Sequence, residues 1–150
     1  YEYNVSDIEQ LNSFTFISNI LVPFGHVNPI GLISIVSNGE RIFELLVEGN
    51  DLKAHNKITG KSFAVNDALS NTNLSDYLTI AILIDLKSGY SKVSTYSKSS
   101  NSLLSGESQG EASDKTFDIF TINIGYVNES RGTETLFSFK TGAAYFYVNN

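Results

Sequence analysis

The residues best equipped for chemistry lie near the end of the chain, in "INIGYVNESRGTETLFSFKTGAAYFYVNN" at 122–150. Only two arginines occur in the protein, and one of them, Arg131, stands in a polar stretch between Glu129 and Gly132. A guanidinium is a planar fork of donors that matches a carboxylate through two parallel charge-assisted hydrogen bonds, whereas a lysine offers a point charge. Around it, Tyr126, Asn128 and Glu129 offer a phenol, an amide and a carboxylate. Farther on, Tyr145 and Tyr147 alternate with Ala144, Phe146 and Val148, so one face of that run suits a core and the other shows two rings. A second arrangement leaves Arg131 paired with Glu129 or Glu134 at the surface, a contact worth ~0–1 kcal/mol.

Other candidates are weaker on their own chemistry. "GESQG", 106–110, matches a nucleophile-elbow pattern but lacks a strand before it, a helix after it and any histidine downstream of His55. Glu44 and Glu48 would share one face of a strand about 13 Å apart, too far for a retaining glycosidase pair, and read as surface charges. His26 and His55 are the only histidines, and neither has a partner at transition-metal spacing. No organic cofactor is implied. A calcium ion remains open to Asp51, Asp85 or loop carbonyls, because hard cations need only oxygen ligands. The three N-x-S/T sites, at Asn4, Asn73 and Asn128, match the number that chance gives for fifteen Asn and thirty Ser plus Thr.

The elements that must carry these residues read almost entirely as strands. "SFTFISNILV" (13–22), "IGLISIVS" (30–37), "ERIFELLVE" (40–48), "YLTIAILIDL" (77–86) and "YSKVSTYS" (90–97) are rich in β-branched and aromatic residues and are bounded by turn chemistry. Asn38-Gly39 is the clearest hairpin signal, and "EGND" (48–51) and Lys87-Ser88-Gly89 repeat the device. Both faces of 78–86 are apolar, which predicts a central strand. The finish reads as "FDIFTINI", "ETLFSFK" and "AAYFYVN". A capping box, Ser6 with Glu9, predicts one short helix near 7–12. Residues 98–116 turn to Ser, Gly and charge, and read as an exposed loop. Together these give an all-β fold: a two-sheet antiparallel sandwich or jelly roll with one short N-terminal helix.

Composition sets the outer limits. The 150 residues suit a single β-sandwich domain spanning 1–150, and the start at Tyr1 reads as a module or mature chain of a larger precursor. Apolar residues make up 41% and charged residues 17%, a balance that folds. The longest apolar run, 78–86, is too short to cross a bilayer as a helix, so no membrane insertion is expected. A net charge of −6 offers no basic stripe for nucleic acid. The absence of Cys removes disulfides and thiolate chemistry.

In their order, "FTF", "GLISI", "FELLVEGNDLKAH", "YLTIAILIDLKSGYSKVSTY", "FTINIGY" and "AAYFYVN" resemble the laminin-G and concanavalin-A-like jelly roll over most of residues 5–149. The last thirty residues are similar to the closing segment of the sialic-acid-binding carbohydrate modules of bacterial sialidases. In those modules a glycine-containing strand leads to a loop arginine, a Phe-x-Phe strand and an outward aromatic strand. Their second arginine follows a "GND"-type turn, where this chain carries His55 and Asn56 with Lys53 and Lys57 nearby. Galectins share the sandwich and stack galactose on a Trp, which this chain lacks.

The resemblance implies a non-catalytic, lectin-like module of an extracellular protein or of a cell or virion surface, with an acidic glycan such as sialic acid as ligand. Its site would draw on Arg131, Tyr126, Asn128, Glu129, His55, Asn56, Tyr145 and Tyr147. The alternative is a structural or adhesive subunit of a fibre, appendage or virion, a homo-oligomer in which Tyr1–Val5 adds a strand to a neighbour's sheet edge.

Overall fold

The computed structural model describes residues 1–6, 11–22, 26–70, 77–115, 117–126 and 140–149, with the side chains of 26–28, 126, 140 and 149 excepted. Eleven strands are found among them: β1 (Glu2–Asn4), β2 (Ser13–Leu21), β3 (His26–Ser37), β4 (Glu40–Gly49), β5 (Asp51–Asn56), β6 (Lys61–Val65), β7 (Leu78–Asp85), β8 (Tyr90–Ser97), β9 (Ser102–Gln109), β10 (Ile119–Tyr126) and β11 (Lys140–Asn149). They form two antiparallel sheets. One has six strands in the order β1-β10-β3-β4-β5-β6, and the other has five in the order β11-β2-β7-β8-β9.

Period-two alternation makes the core. In β2, Phe14, Phe16 and Ile20 turn inward and are fully buried, while Thr15 and Ile17 between them face out. Ile80, Ile82 and Ile84 of β7 and Val93 of β8 continue this layer, opposite Ile33, Ile35, Phe43, Leu45, Leu52 and Phe120. Burying side chains of this size stabilises by about 1.5–3 kcal/mol each relative to exposure. β3 and β4 are buried on both faces, as expected of strands in the middle of a sheet.

The hairpins follow the turn chemistry. Asn38 (φ 52°) and Gly39 (φ 78°) are both left-handed between the paired residues Ser37 and Glu40, which is the type I′ requirement. Gly49 (φ 62°) turns the chain between Glu48 and Asp51.

Three expectations meet a different outcome. The short helix is not seen: 7–10 lie outside the described residues, and Leu11 and Asn12 are irregular chain leading into β2. The polar stretch 98–116 is no plain loop, because Ser102–Gln109 form β9 against β8. An edge strand tolerates serine and glycine because only one neighbour must be paired. Its inward positions also lie against β6, and a Cβ placed on Gly106 would collide with the backbone carbonyl of Ala64. Finally, Tyr1–Val5 is used within its own chain. The Tyr1 amino group donates to the Ile122 carbonyl at 2.9 Å, Ile122 N donates to the Tyr1 carbonyl at 2.7 Å, and Val5 is part of the core.

Candidate functional site

Residues able to contact a ligand lie on two opposite faces of the sandwich. On the outer face of the five-stranded sheet, β11 presents Tyr145 and Tyr147, each about half exposed. Their rings stack with centroids 6.3 Å apart and planes inclined by 21°. The spacing is set by the strand, since residues two apart on one face are separated by about 6.6 Å. The strand is pinned from below. Phe146 stacks on Tyr3 at 4.4 Å and on Phe14 at 5.2 Å, and meets Phe120 at 5.7 Å. The Tyr3 hydroxyl is held above its ordinary pKa of 10.0, first by burial and then by the neighbouring Tyr1. Beside the tyrosines, β2 adds Ile17 and Thr15 at the paired positions. Two flat rings with hydroxyl tips can carry a C–H surface on their faces and hydrogen bonds at their rims.

At the far edge of this face, the Tyr90 hydroxyl donates to the Glu107 carboxylate. That bond raises the phenol's pKa, because only the protonated hydroxyl can donate it; burial and the nearby Glu107 charge add to the shift.

The outer face of the six-stranded sheet is built differently. The strand registers align Asn123, Ser34, Glu44, His55 and Ser62 into one row across β10, β3, β4, β5 and β6. Glu44 is 5% exposed, a burial that a carboxylate tolerates only with compensation. Lys57 Nζ lies 3.1 Å from its Oε1, and Arg41 Nη1 lies 3.6 Å from its Oε2. Arg41 Nε also donates to Ser34 Oγ at 3.1 Å. His55 Nδ1 and Ser62 Oγ are 2.6 Å apart. A shallow depression of about 340 Å³ adjoins this row, lined by Glu48, Lys53, His55, Ser62, Phe63 and Ala64. A larger polar groove, about 730 Å³, lies at one end of the sandwich between Ile58–Lys61 and Gln109–Asp114.

The residues singled out in the sequence are therefore distributed. Tyr145 and Tyr147 stand together. His55 lies on the opposite face, with both sheets between it and the tyrosines. Asn56 points into the interior, where its Oδ1 accepts from Ile58 N at 3.1 Å and Thr59 N at 3.3 Å and its Nδ2 donates to Ser91 Oγ at 3.2 Å. Tyr126 ends β10 opposite Gly31, and its side chain is not among those described. Asn128, Glu129, Arg131 and Glu134, together with "ETLFSFK" up to residue 139, lie outside the described residues.

The structure also assigns work to residues the sequence reading passed over or placed elsewhere. Glu44, read as a surface charge, is the buried centre of an ion cluster, and Arg41 and Ser34 complete it. In the "GESQG" run, Gly106–Gln109 are strand, with Ser108 Oγ 3.1 Å from Ser91 Oγ rather than raised on an elbow. Asp51 accepts from Asp67 N, and Asp85 accepts from Lys87 N and Ser88 N, so both carboxylates shape turns. Among the described residues no group of three or more His, Cys, Asp or Glu is close enough to hold a metal ion, and no helix is long and apolar enough to cross a membrane.

No family model matches the chain, and no curated protein matches it either. Solved structures do. The LG1–3 region of the laminin α2 chain superposes with a TM-score of 0.62 at 12% identity, over 97% of this chain and 29% of that one. The alginate lyase AlgAT5 of polysaccharide lyase family 7 gives 0.55 at 14% identity, over 93% and 60%. A botulinum neurotoxin serotype D/C binding domain gives 0.52 at 14% identity, over 91% and 33%. The chain thus spans less than two thirds of each of these neighbours. The fold is the laminin-G and concanavalin-A-like jelly roll that the order of strand motifs resembles.

Proposed function

We infer that the chain is a non-catalytic carbohydrate-binding module that works outside the cell or at a cell or virion surface, with acidic glycans such as sialic acid as its preferred ligands. The observation that carries this reading is the Tyr145–Tyr147 pair: two near-parallel rings, half exposed, on a strand fixed by Phe146. A pyranose has a C–H face that lies on such rings while its hydroxyls meet the phenol oxygens. Arg131 supplies the preference for an anion, because its guanidinium can take a carboxylate in a fork. A fold neighbour that is a lyase of alginate accords with a glycan partner. No reaction is assigned.

A glycan array tests this. Signal on sialylated and other acidic glycans is expected for the unaltered chain. Tyr145→Ala with Tyr147→Ala should abolish binding to all glycans, and Arg131→Ala should remove the acidic ones selectively. A blank array for the unaltered chain refutes the reading.

A further inference from the structure

We propose that the glycan site continues from the tyrosine pair across the outer face of the five-stranded sheet, as a trough for a linear acidic saccharide chain of about four units. The proposal rests on the carbohydrate-binding reading above and adds the length and charge of the ligand.

Strand register builds the trough. Tyr145, Ile17, Ala81, Ser94 and Ser105 fall into one row across β11, β2, β7, β8 and β9. From Ala81 onward its side chains are small, so this row is a floor. Tyr147, Thr15, Leu83, Lys92 and Glu107 run along one side of it, and Asn19, Thr79, Tyr96 and Leu103 along the other. Each wall lies two residues along the strands from the floor, which sets the walls about 13 Å apart. Every side chain in the three rows is half-buried or exposed, while Phe16, Ile82 and Val93 between them face the core.

The chemistry along the trough points to its occupant. At one end stand the stacked rings of Tyr145 and Tyr147. Toward the other stands Tyr96, exposed and held by the hydrogen bond from its hydroxyl to Asn101 Oδ1 at 3.2 Å. β11 and β8 are three strand spacings apart, about 14 Å, a gap that roughly three to four pyranose units bridge. Between them the Ala81 methyl and the Ser94 and Ser105 hydroxyls make a shallow mixed floor, which matches a sugar chain's alternation of C–H and hydroxyl. A protein partner anchors itself by large side chains filling pockets, and this floor is too shallow for that. Lys92 is the one cation in the three rows. Its cross-strand neighbour Glu107 is engaged by the Tyr90 hydroxyl, and no ion pair among the described residues involves Lys92. A carboxylate on the third or fourth sugar meets that ammonium, and the Glu107 carboxylate repels an anionic unit placed beyond it.

Isothermal titration calorimetry with oligosialic acids and oligouronates of graded length tests this. Affinity in at least one series should climb about tenfold between two and four units and then level off. Ser94→Trp, which fills the floor, should erase the gain with length and leave the shortest oligomer's affinity unchanged. Lys92→Gln should weaken the longer acidic chains roughly two- to five-fold, as loss of an exposed ion pair does. Because Ser94→Trp can disturb β8, amide NMR shifts of the unaltered chain give a second readout: Ala81, Ser94 and Ser105 should move with a tetrasaccharide and stay in place with a monosaccharide. Affinity independent of length, or tetrasaccharide shifts confined to β11 and β2, overturns the trough and leaves the tyrosine site standing. Shifts across the floor on raising protein concentration without sugar would make this face an interface between copies, and also overturn it. Failure to bind any saccharide, acidic or neutral, refutes the carbohydrate reading itself and the trough with it.

Discussion

The closure between β6 and β9 gives a sharp test of how the two sheets are held together. Gly106 belongs to β9, opposite Val93, and faces the β6 backbone. A methyl group there would collide with the Ala64 carbonyl oxygen, lie 2.9 Å from its carbon and come within 3.2 Å of the Phe63 ring edge. Backbone cannot rotate aside as a side chain can, so Gly106→Ala must push β9 away from β6. Overpacking of this kind costs about 1–3 kcal/mol. For a chain of this size that becomes a fall in Tm of roughly 2–12 °C. Ser105→Ala, one residue away and outward-facing, is the control and should move Tm by no more than ~2 °C, as a surface change within ±0.5 kcal/mol does. Differential scanning calorimetry of both variants reads the difference. Equal Tm values for Gly106→Ala and the unaltered chain would refute the close approach and the closed flank it implies.

Three further outcomes follow from contacts already described. Phe146→Ala removes the ring that joins Tyr3, Phe14 and Phe120, and should cost about 2–3 kcal/mol in denaturant unfolding, below the full range for a buried Phe because the ring is half-buried. Asn56→Ala leaves Ile58 N and Thr59 N without their acceptor, and should lower stability by about 1–3 kcal/mol while leaving glycan-array signal intact. The raised pKa of Tyr3 means that the folded state favours its neutral form; the resulting stability is complete below pH 10.0, the ordinary phenol value, and is lost as pH rises through the folded-state pKa. Urea midpoints measured on the alkaline side should therefore fall less steeply for Tyr3→Phe than for the unaltered chain.

Much of the architecture is legible in the residues because alternation and turn chemistry agree. Phe14-x-Phe16 and Ile80-x-Ile82-x-Ile84 announce their inward faces, and Asn38-Gly39 announces its turn. β9 is hidden because serine, glycine and glutamate at an edge are chosen for what they avoid, namely a clash with β6 and an aggregating flank, and such choices look like loop composition. The site divides in the same way. Tyr145 and Tyr147 follow directly from period two. The same rule shows that His55 and Asn56, adjacent on one strand, cannot both face a ligand, and the structure turns Asn56 inward. What a single strand cannot reveal is register. The row of Asn123, Ser34, Glu44, His55 and Ser62 draws on five strands, and no local spacing joins them.

The placement of β1 has a practical bearing on any engineered or natural attachment. Tyr3 lies on Phe146, so the first and last strands share one flank of the molecule while the opposite flank is sealed by β6 and β9. A tag, linker or neighbouring domain joined at either terminus therefore begins beside the uncharged margin of β11. The choice of terminus, and the length of whatever is fused there, governs how closely the attached polypeptide approaches the Tyr3–Phe146 stack.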